Sequence, residues 1–184
     1  MKNMLIHSKR GQTVETGNHI AAIYSDKDAA LDEAFEFLKS GLEKNEIIML
    51  IMDDISKDEV RKKINTKWNV DADALEKNGH LIIKTTPEWY FPYAQPSVHK
   101  LNTVWISMID YPHIKGKNGV RVFADMSAFF RYGFVRELIL YESTLEKEFD
   151  FPFTMICAYK SKDIETLNQT QQNTLIRHHH LMWK

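Results

Sequence analysis

Gly119-Val-Arg-Val-Phe-Ala-Asp-Met-Ser127 follows a Lys-Asn-Gly turn and is apolar and β-branched until it meets a carboxylate and a hydroxyl. Such a run reads as a buried central strand, because a strand covered on both faces loses the polar alternation of a half-exposed one. Its C-terminal end delivers Asp125 and Ser127 to the edge of a parallel sheet where ligands usually gather. Working outward, His19–Tyr24, Glu46–Met52, His80–Lys84 and Phe153–Tyr159 are further apolar runs of strand length.

Helical stretches alternate with these strands. Ala30, Leu31, Ala34, Phe35, Leu38 and Leu42 recur at three- and four-residue spacing behind a Ser25-Asp26 start, which predicts a helix to about Lys44. Ser56 caps a helix to about Trp68, a short helix covers Asp71–Lys77, and Asn78-Gly79 turns the chain into the next strand. Further helices are expected over Ser97–Ile114, Phe129–Phe149 and Lys162–Asn173, with Thr174–Trp183 as an edge strand. Strand and helix alternate without tight hairpin signals, so the expected fold is a three-layer α/β/α sandwich with a mainly parallel central sheet. Residues 1–17 read as a loosely held N-terminal arm and 18–184 as one domain. Thr85–Ser97, rich in proline and aromatics, is a packed loop, a lid or an interface.

The bulk numbers exclude several classes. With 43% apolar and 27% charged residues the chain has a globular composition, and a net charge of -1 opposes broad attraction to nucleic acid or an anionic membrane. No apolar run approaches the roughly 18–20 residues of a membrane span. The single cysteine rules out an internal disulfide framework and suits a reducing compartment, so a cytoplasmic location is expected. The first strand–helix turn, Tyr24-Ser-Asp-Lys-Asp28, has no phosphate-loop glycines, and its carboxylates would repel a phosphate at the helix start. No zinc-protease helix, Cys-x-x-Cys pair or nucleophile elbow is present.

The strand ends leave Tyr24, Asp26, Asp53, Asp54, Asp125, Ser127 and Tyr159 as candidates for a site, with Asp26 and Asp54 reading rather as helix caps. A buried Asp125 needs a partner, and Arg121, two pleats earlier on the same strand face, is one candidate. Glu142 lies at the margin of a buried helix face, either as a solvated helix carboxylate or as one that reaches over the sheet toward Asp125. Cys157 taken alone reads as an inert core thiol. With His19 and the late His179 it could hold a borderline metal if the three converged.

His19-Ile-Ala-Ala-Ile-Tyr24, Leu38-x-x-Gly41-Leu-x-x-Asn-Glu46, Asp53-Asp54, Arg121-Val-Phe-Ala-Asp-Met-Ser127, Tyr141-Glu142, Cys157-Ala-Tyr159 and His179 occur in an order that resembles the MEDS family. That family is the sensory domain of methanogens and methylotrophs, and the resemblance spans about residues 18–183. It implies a KaiC- and RecA-like core without the phosphate loop. It also implies a prokaryotic role in signal transduction or transcriptional regulation, sensing simple hydrocarbon derivatives. Its motif positions here are His19, Asp125, Glu142, Cys157 and His179; Asp125 stands where a glutamate is common.

The expectation is therefore a non-enzymatic sensor of a small organic molecule. His19, Tyr24, Asp53, Asp125, Ser127, Glu142, Cys157 and His179 would bind the ligand, and a metal, were one bound, would fall to His19, Cys157 and His179. No cofactor, nucleic acid or membrane is expected. The chain has no room for a DNA-binding segment beside this domain, so it would act through a protein partner or as a homodimer. The alternatives are a non-catalytic ATPase-like assembly scaffold and a hydrolase using Asp125 and Glu142 as acid and base.

Overall fold

Seven parallel strands form one sheet in a computed structural model that describes residues 7–8 and 14–183. The chain begins with β1 (His7–Ser8) and β2 (His19–Tyr24), then α1 (Lys27–Glu43), whose N-cap Asp26 accepts the Asp28 and Ala29 N–H groups. β3 (Ile47–Ile51) is buried throughout, as its unbroken apolar run predicts. α2 (Lys57–Trp68) opens with a reciprocal Ser56–Glu59 capping box, and α3 (Ala72–Lys77) leads through Asn78-Gly79 into β4 (Leu81–Lys84). α4 (Thr86–Tyr90), α5 (Val98–Ile114) and β5 (Val120–Asp125) follow. The chain closes with α6 (Ser127–Arg131), α7 (Val135–Glu142), β6 (Phe153–Lys160), α8 (Ser161–Glu165), α9 (Gln169–His178) and β7 (Leu181–Trp183).

The strand order is β1-β7-β2-β6-β5-β3-β4, and every pairing is parallel. α1, α2 and α3 cover one face through Leu31, Phe35, Leu38, Ile64 and Trp68. α4 to α7 and α9 cover the other through Tyr90, Trp105, Phe129, Tyr141 and Leu175. This is a three-layer α/β/α sandwich. Among the described residues no helix is long and apolar enough to cross a membrane.

Three local expectations are corrected. The single helix over Phe129–Phe149 is two helices, because Gly133 adopts φ +77° and caps α6. Its N–H donates to the Phe130 carbonyl, and the Phe134 N–H to that of Phe129. α7 then stops where the Ser143 and Thr144 hydroxyls donate back to the Leu140 and Tyr141 carbonyls. The Lys162–Asn173 helix is divided by Asn168, which forms a capping box with Gln171 and starts α9 afresh. Helix α9 consumes much of the expected edge strand, leaving β7, which lies inside the sheet between β1 and β2. Most of the expected N-terminal arm, residues 1–6 and 9–13, lies outside the described residues.

Alternation along the strands decides which side chains share a face. Val120, Val122 and Ala124 of β5 join the core under α4–α7 and α9, whereas Phe123 joins the core under α1–α3. Arg121 and Asp125 have the parity of Phe123. Arg121 does not pair with Asp125; its guanidinium holds Glu46, with Nε 2.5 Å from Oε2, and lies over the Phe37 ring. Gly41 on α1 makes room for this pair, since a Cβ there would sit 2.6 Å from Arg121 Cδ.

Candidate functional site

Four of the expected residues meet on the sheet face under α7 and α9. In register, His19 lies opposite Met155 and Ala21 opposite Cys157. His19 and Cys157 therefore share the parity of Ala21, Met155 and Tyr159, all in the core on this face. Glu142 arrives from the last turn of α7, and His179 from the residue that caps α9 just before β7. All four side chains are buried, and one ligand atom from each lies within 4.8 Å of the others.

The two imidazoles are held by the same device. His19 Nδ1 lies 2.8 Å from the His178 carbonyl and 3.1 Å from that of Glu146, and His179 Nδ1 is 2.7 Å from the Leu175 carbonyl. Carbonyls only accept, so each Nδ1 carries the proton and each Nε2 presents its lone pair inward. His19 Nε2 is 3.5 Å from Cys157 Sγ and 3.6 Å from Glu142 Oε2; His179 Nε2 is 3.5 Å from that same oxygen. The Tyr159 hydroxyl donates to the other carboxylate oxygen, Glu142 Oε1, at 2.7 Å. Glu142 Oε2 and His179 Nε2 have no hydrogen-bond partner.

Burial dominates the electrostatics. It pushes His19 down to about 4 and His179 well below the usual imidazole range, and lifts Glu142 to about 7 against the Tyr159 hydrogen bond. Both imidazoles are therefore neutral, and their approaches to Glu142 are not ion pairs. Burial, with the Glu142 carboxylate beside it, also pushes the Cys157 thiol up, the reverse of what activates a nucleophile.

Tyr24, Asp53, Asp125 and Ser127 lie at the other end of the strands and do not join this cluster. Asp125 Oδ1 accepts the Ser127 N–H at 2.9 Å, and burial raises its carboxyl. Burial and the neighbouring Asp125 raise the Tyr24 phenol. Asp53 holds Arg131 at 3.0 Å, while Asp54 binds Lys160 at 2.6 Å and Arg131 at 3.2 Å. Burial opposes charge on Asp54, but the Lys160 hydrogen bond prevails and keeps it below the usual carboxylate range. Glu142 does not reach toward Asp125, which belongs to the opposite face of the sheet.

Tyr159, a strand-end candidate, joins the cluster through its hydroxyl. One feature of the site was not expected, an apolar cavity of about 250 Å³ between α5, the end of α7 and the start of β6. Trp105, Ile109, Leu145, Phe149 and Met155 are among its walls. It abuts the polar cluster, because Phe149 packs on the His19 ring at 5.6 Å and Met155 lies opposite His19 across the sheet.

The family model described as MEDS, the MEthanogen/methylotroph, DcmR Sensory domain, matches residues 18–180, a span that includes all four clustered residues. The chain belongs to the MEDS family. A sensory or signalling role in general comes with that membership. Among solved structures, this MEDS chain is similar to the KaiC-like protein of the hyperthermophilic archaeon Pyrococcus horikoshii OT3. The TM-score is 0.58 at 14% identity, over 89% of this chain and 69% of that one. At that identity the likeness shows the fold alone, a KaiC-like, RecA-type core. No curated protein matches the chain. In the MEDS chain the turn after the first long strand is Tyr24-Ser-Asp-Lys-Asp28, without the glycines of a phosphate loop.

Proposed function

We propose that this MEDS domain senses a small apolar organic molecule, of the size of a simple hydrocarbon derivative, and passes its occupancy to a protein partner. The observation that carries the reading is the cavity of about 250 Å³ set against the buried His19–Glu142–Cys157–His179 cluster. A concave apolar space with a few convergent polar groups is the usual form of a small-molecule site, and this volume suits a ligand smaller than a drug. The thiol pushed up by burial supports binding rather than covalent catalysis. Ile106 of α5 lines the cavity and is also 64% exposed, which gives the occupant a direct route to the outer surface. A ligand shifts the partner-binding form only by its difference in affinity between two states.

Trp105 reports on this directly, because it lines the cavity and packs 5.0 Å from Trp89. Titration with 1-butanol, dichloromethane and benzene is expected to change tryptophan emission saturably for at least one of them. Leu145→Phe, which fills the cavity, should abolish the change while leaving the fold intact by circular dichroism. A strictly linear solvent effect, equal in the variant, would overturn the sensory reading.

A further inference from the structure

We propose that His19, Glu142, Cys157 and His179 form a closed tetrahedral site for a divalent first-row metal ion of borderline softness, zinc above all.

Distance is the first support. The gaps of 3.6 and 3.5 Å from Glu142 Oε2 to the two Nε2 atoms exceed the roughly 2.7–3.2 Å of an ordinary N–H···O hydrogen bond, while the 3.5 Å from Sγ to His19 Nε2 also suits a thiol hydrogen bond. These three of the six edges match the about 3.3–3.6 Å of a tetrahedron whose metal–ligand bonds are those of zinc to nitrogen, oxygen and sulfur, and all four ligand atoms lie within 4.8 Å of one another. The second support is orientation. Each imidazole is turned by an Nδ1–H bond to a backbone carbonyl, the outer-shell arrangement that aims Nε2 at a metal. Glu142 is held likewise by the Tyr159 hydroxyl.

The third support is the orphaned atoms. Glu142 Oε2 and His179 Nε2 are buried without partners, and buried polar groups rarely stay unpartnered. One cation satisfies both. Charge closes as well: a thiolate, a carboxylate and two neutral imidazoles bring -2, which a divalent ion cancels. A buried site tolerates that sum and not a net charge. The Cys157 proton leaves to solvent when the thiolate–metal bond forms. The donor set is too soft for magnesium or calcium. Among the described residues no other group of three or more such side chains could hold a metal.

Four protein ligands complete the coordination, so the ion would brace the polar wall of the cavity as a structural element. It would tie together β2, α7, β6 and the α9–β7 junction. The proposal concerns the same buried region as the sensory reading but does not need it, since metal uptake is read with no organic molecule present.

The test is refolding of the full chain from denaturant with cobalt(II) or zinc(II), followed by gel filtration and metal analysis. One equivalent is expected. Cobalt should give visible bands of tetrahedral intensity with a thiolate charge-transfer band in the near ultraviolet. Cys157→Ser should remove the charge-transfer band, and His179→Ala should lower affinity at least tenfold; Lys39→Ala, remote from the site, is the folding control. Wild-type protein that refolds without bound metal would overturn the proposal. So would cobalt spectra unchanged in a folded Cys157→Ser variant. Metal uptake without a response to 1-butanol, dichloromethane or benzene would sustain this site and remove the sensory reading.

Discussion

Arg121→Met is expected to lower the melting temperature by about 6–20 °C, through a loss of roughly 3–5 kcal/mol for a chain of this size. Arg121 and Glu46 are both nearly inaccessible, at 1% and 4% exposure, and make a two-point contact, Nε to Oε2 at 2.5 Å and an Nη2 contact to Oε1 at 3.3 Å. Removing the guanidinium strands the Glu46 carboxylate between α1 and the sheet. The effect is a penalty of the unpaired charge rather than the worth of the pair, so the double variant Glu46→Leu/Arg121→Met should recover most of it. Thermal and urea denaturation of the two variants checks this. A melting point for Arg121→Met within about 2 °C of wild type would contradict it.

Phe129→Ala is expected to cost about 3–5 kcal/mol, the range for truncating a fully buried phenylalanine. Phe129 is wholly inaccessible and meets Tyr90 and Phe91 edge-on at 5.2 and 5.4 Å. Those two residues are the inner part of the proline- and aromatic-rich Thr85–Ser97 stretch, which is packed at Tyr90 and Phe91 and open near Tyr93, 76% exposed. Truncation therefore opens a void under that stretch and beside Tyr90, which in turn packs on Tyr141, the neighbour of Glu142, at 5.6 Å. Leu140→Ala, on the exposed side of α7, should change stability by no more than about 0.5 kcal/mol. Equal urea midpoints for the two variants would show that the aromatic cluster carries no such load.

Much of the architecture is legible in the chain. The apolar runs at β3, β5 and β6 announce buried parallel strands, and the Ser56 and Asp26 caps mark helix starts closely. The stops are harder. Gly133 and Asn168 break two expected helices, and both signals are present as a left-handed glycine cap and an Asn-x-x-Gln capping box. Amphipathic periodicity running through them masks both.

The site is legible only in its parts. His19, Glu142, Cys157 and His179 are separated by up to 160 positions, and what brings them together is the insertion of β7 beside β2 and of β2 beside β6. That strand order is a tertiary fact with no local signature. The suggested approach of Glu142 to Asp125 fails for a related reason. Asp125 pairs in register with Ala158, one residue past Cys157, and one residue along a strand is the opposite face of the sheet. The rule that ligands collect at the C-terminal ends of parallel strands draws attention to Tyr24, Asp53, Asp125 and Ser127. Tyr24, Asp125 and Ser127 do carry buried unpartnered atoms there, but the His19–Glu142–Cys157–His179 cluster and the apolar cavity lie elsewhere, over one face.

Methyl NMR of the chain labelled at its methionines separates these two locations in one titration with 1-butanol, dichloromethane or benzene. Met155 lines the cavity beside His19, whereas Met52 follows β3 at the C-terminal edge, in the core of the opposite face. If the cavity is the sensing site, the Met155 methyl shifts saturably and that of Met52 stays still. A saturable shift of Met52 with Met155 unmoved would place the ligand at the strand ends and contradict it.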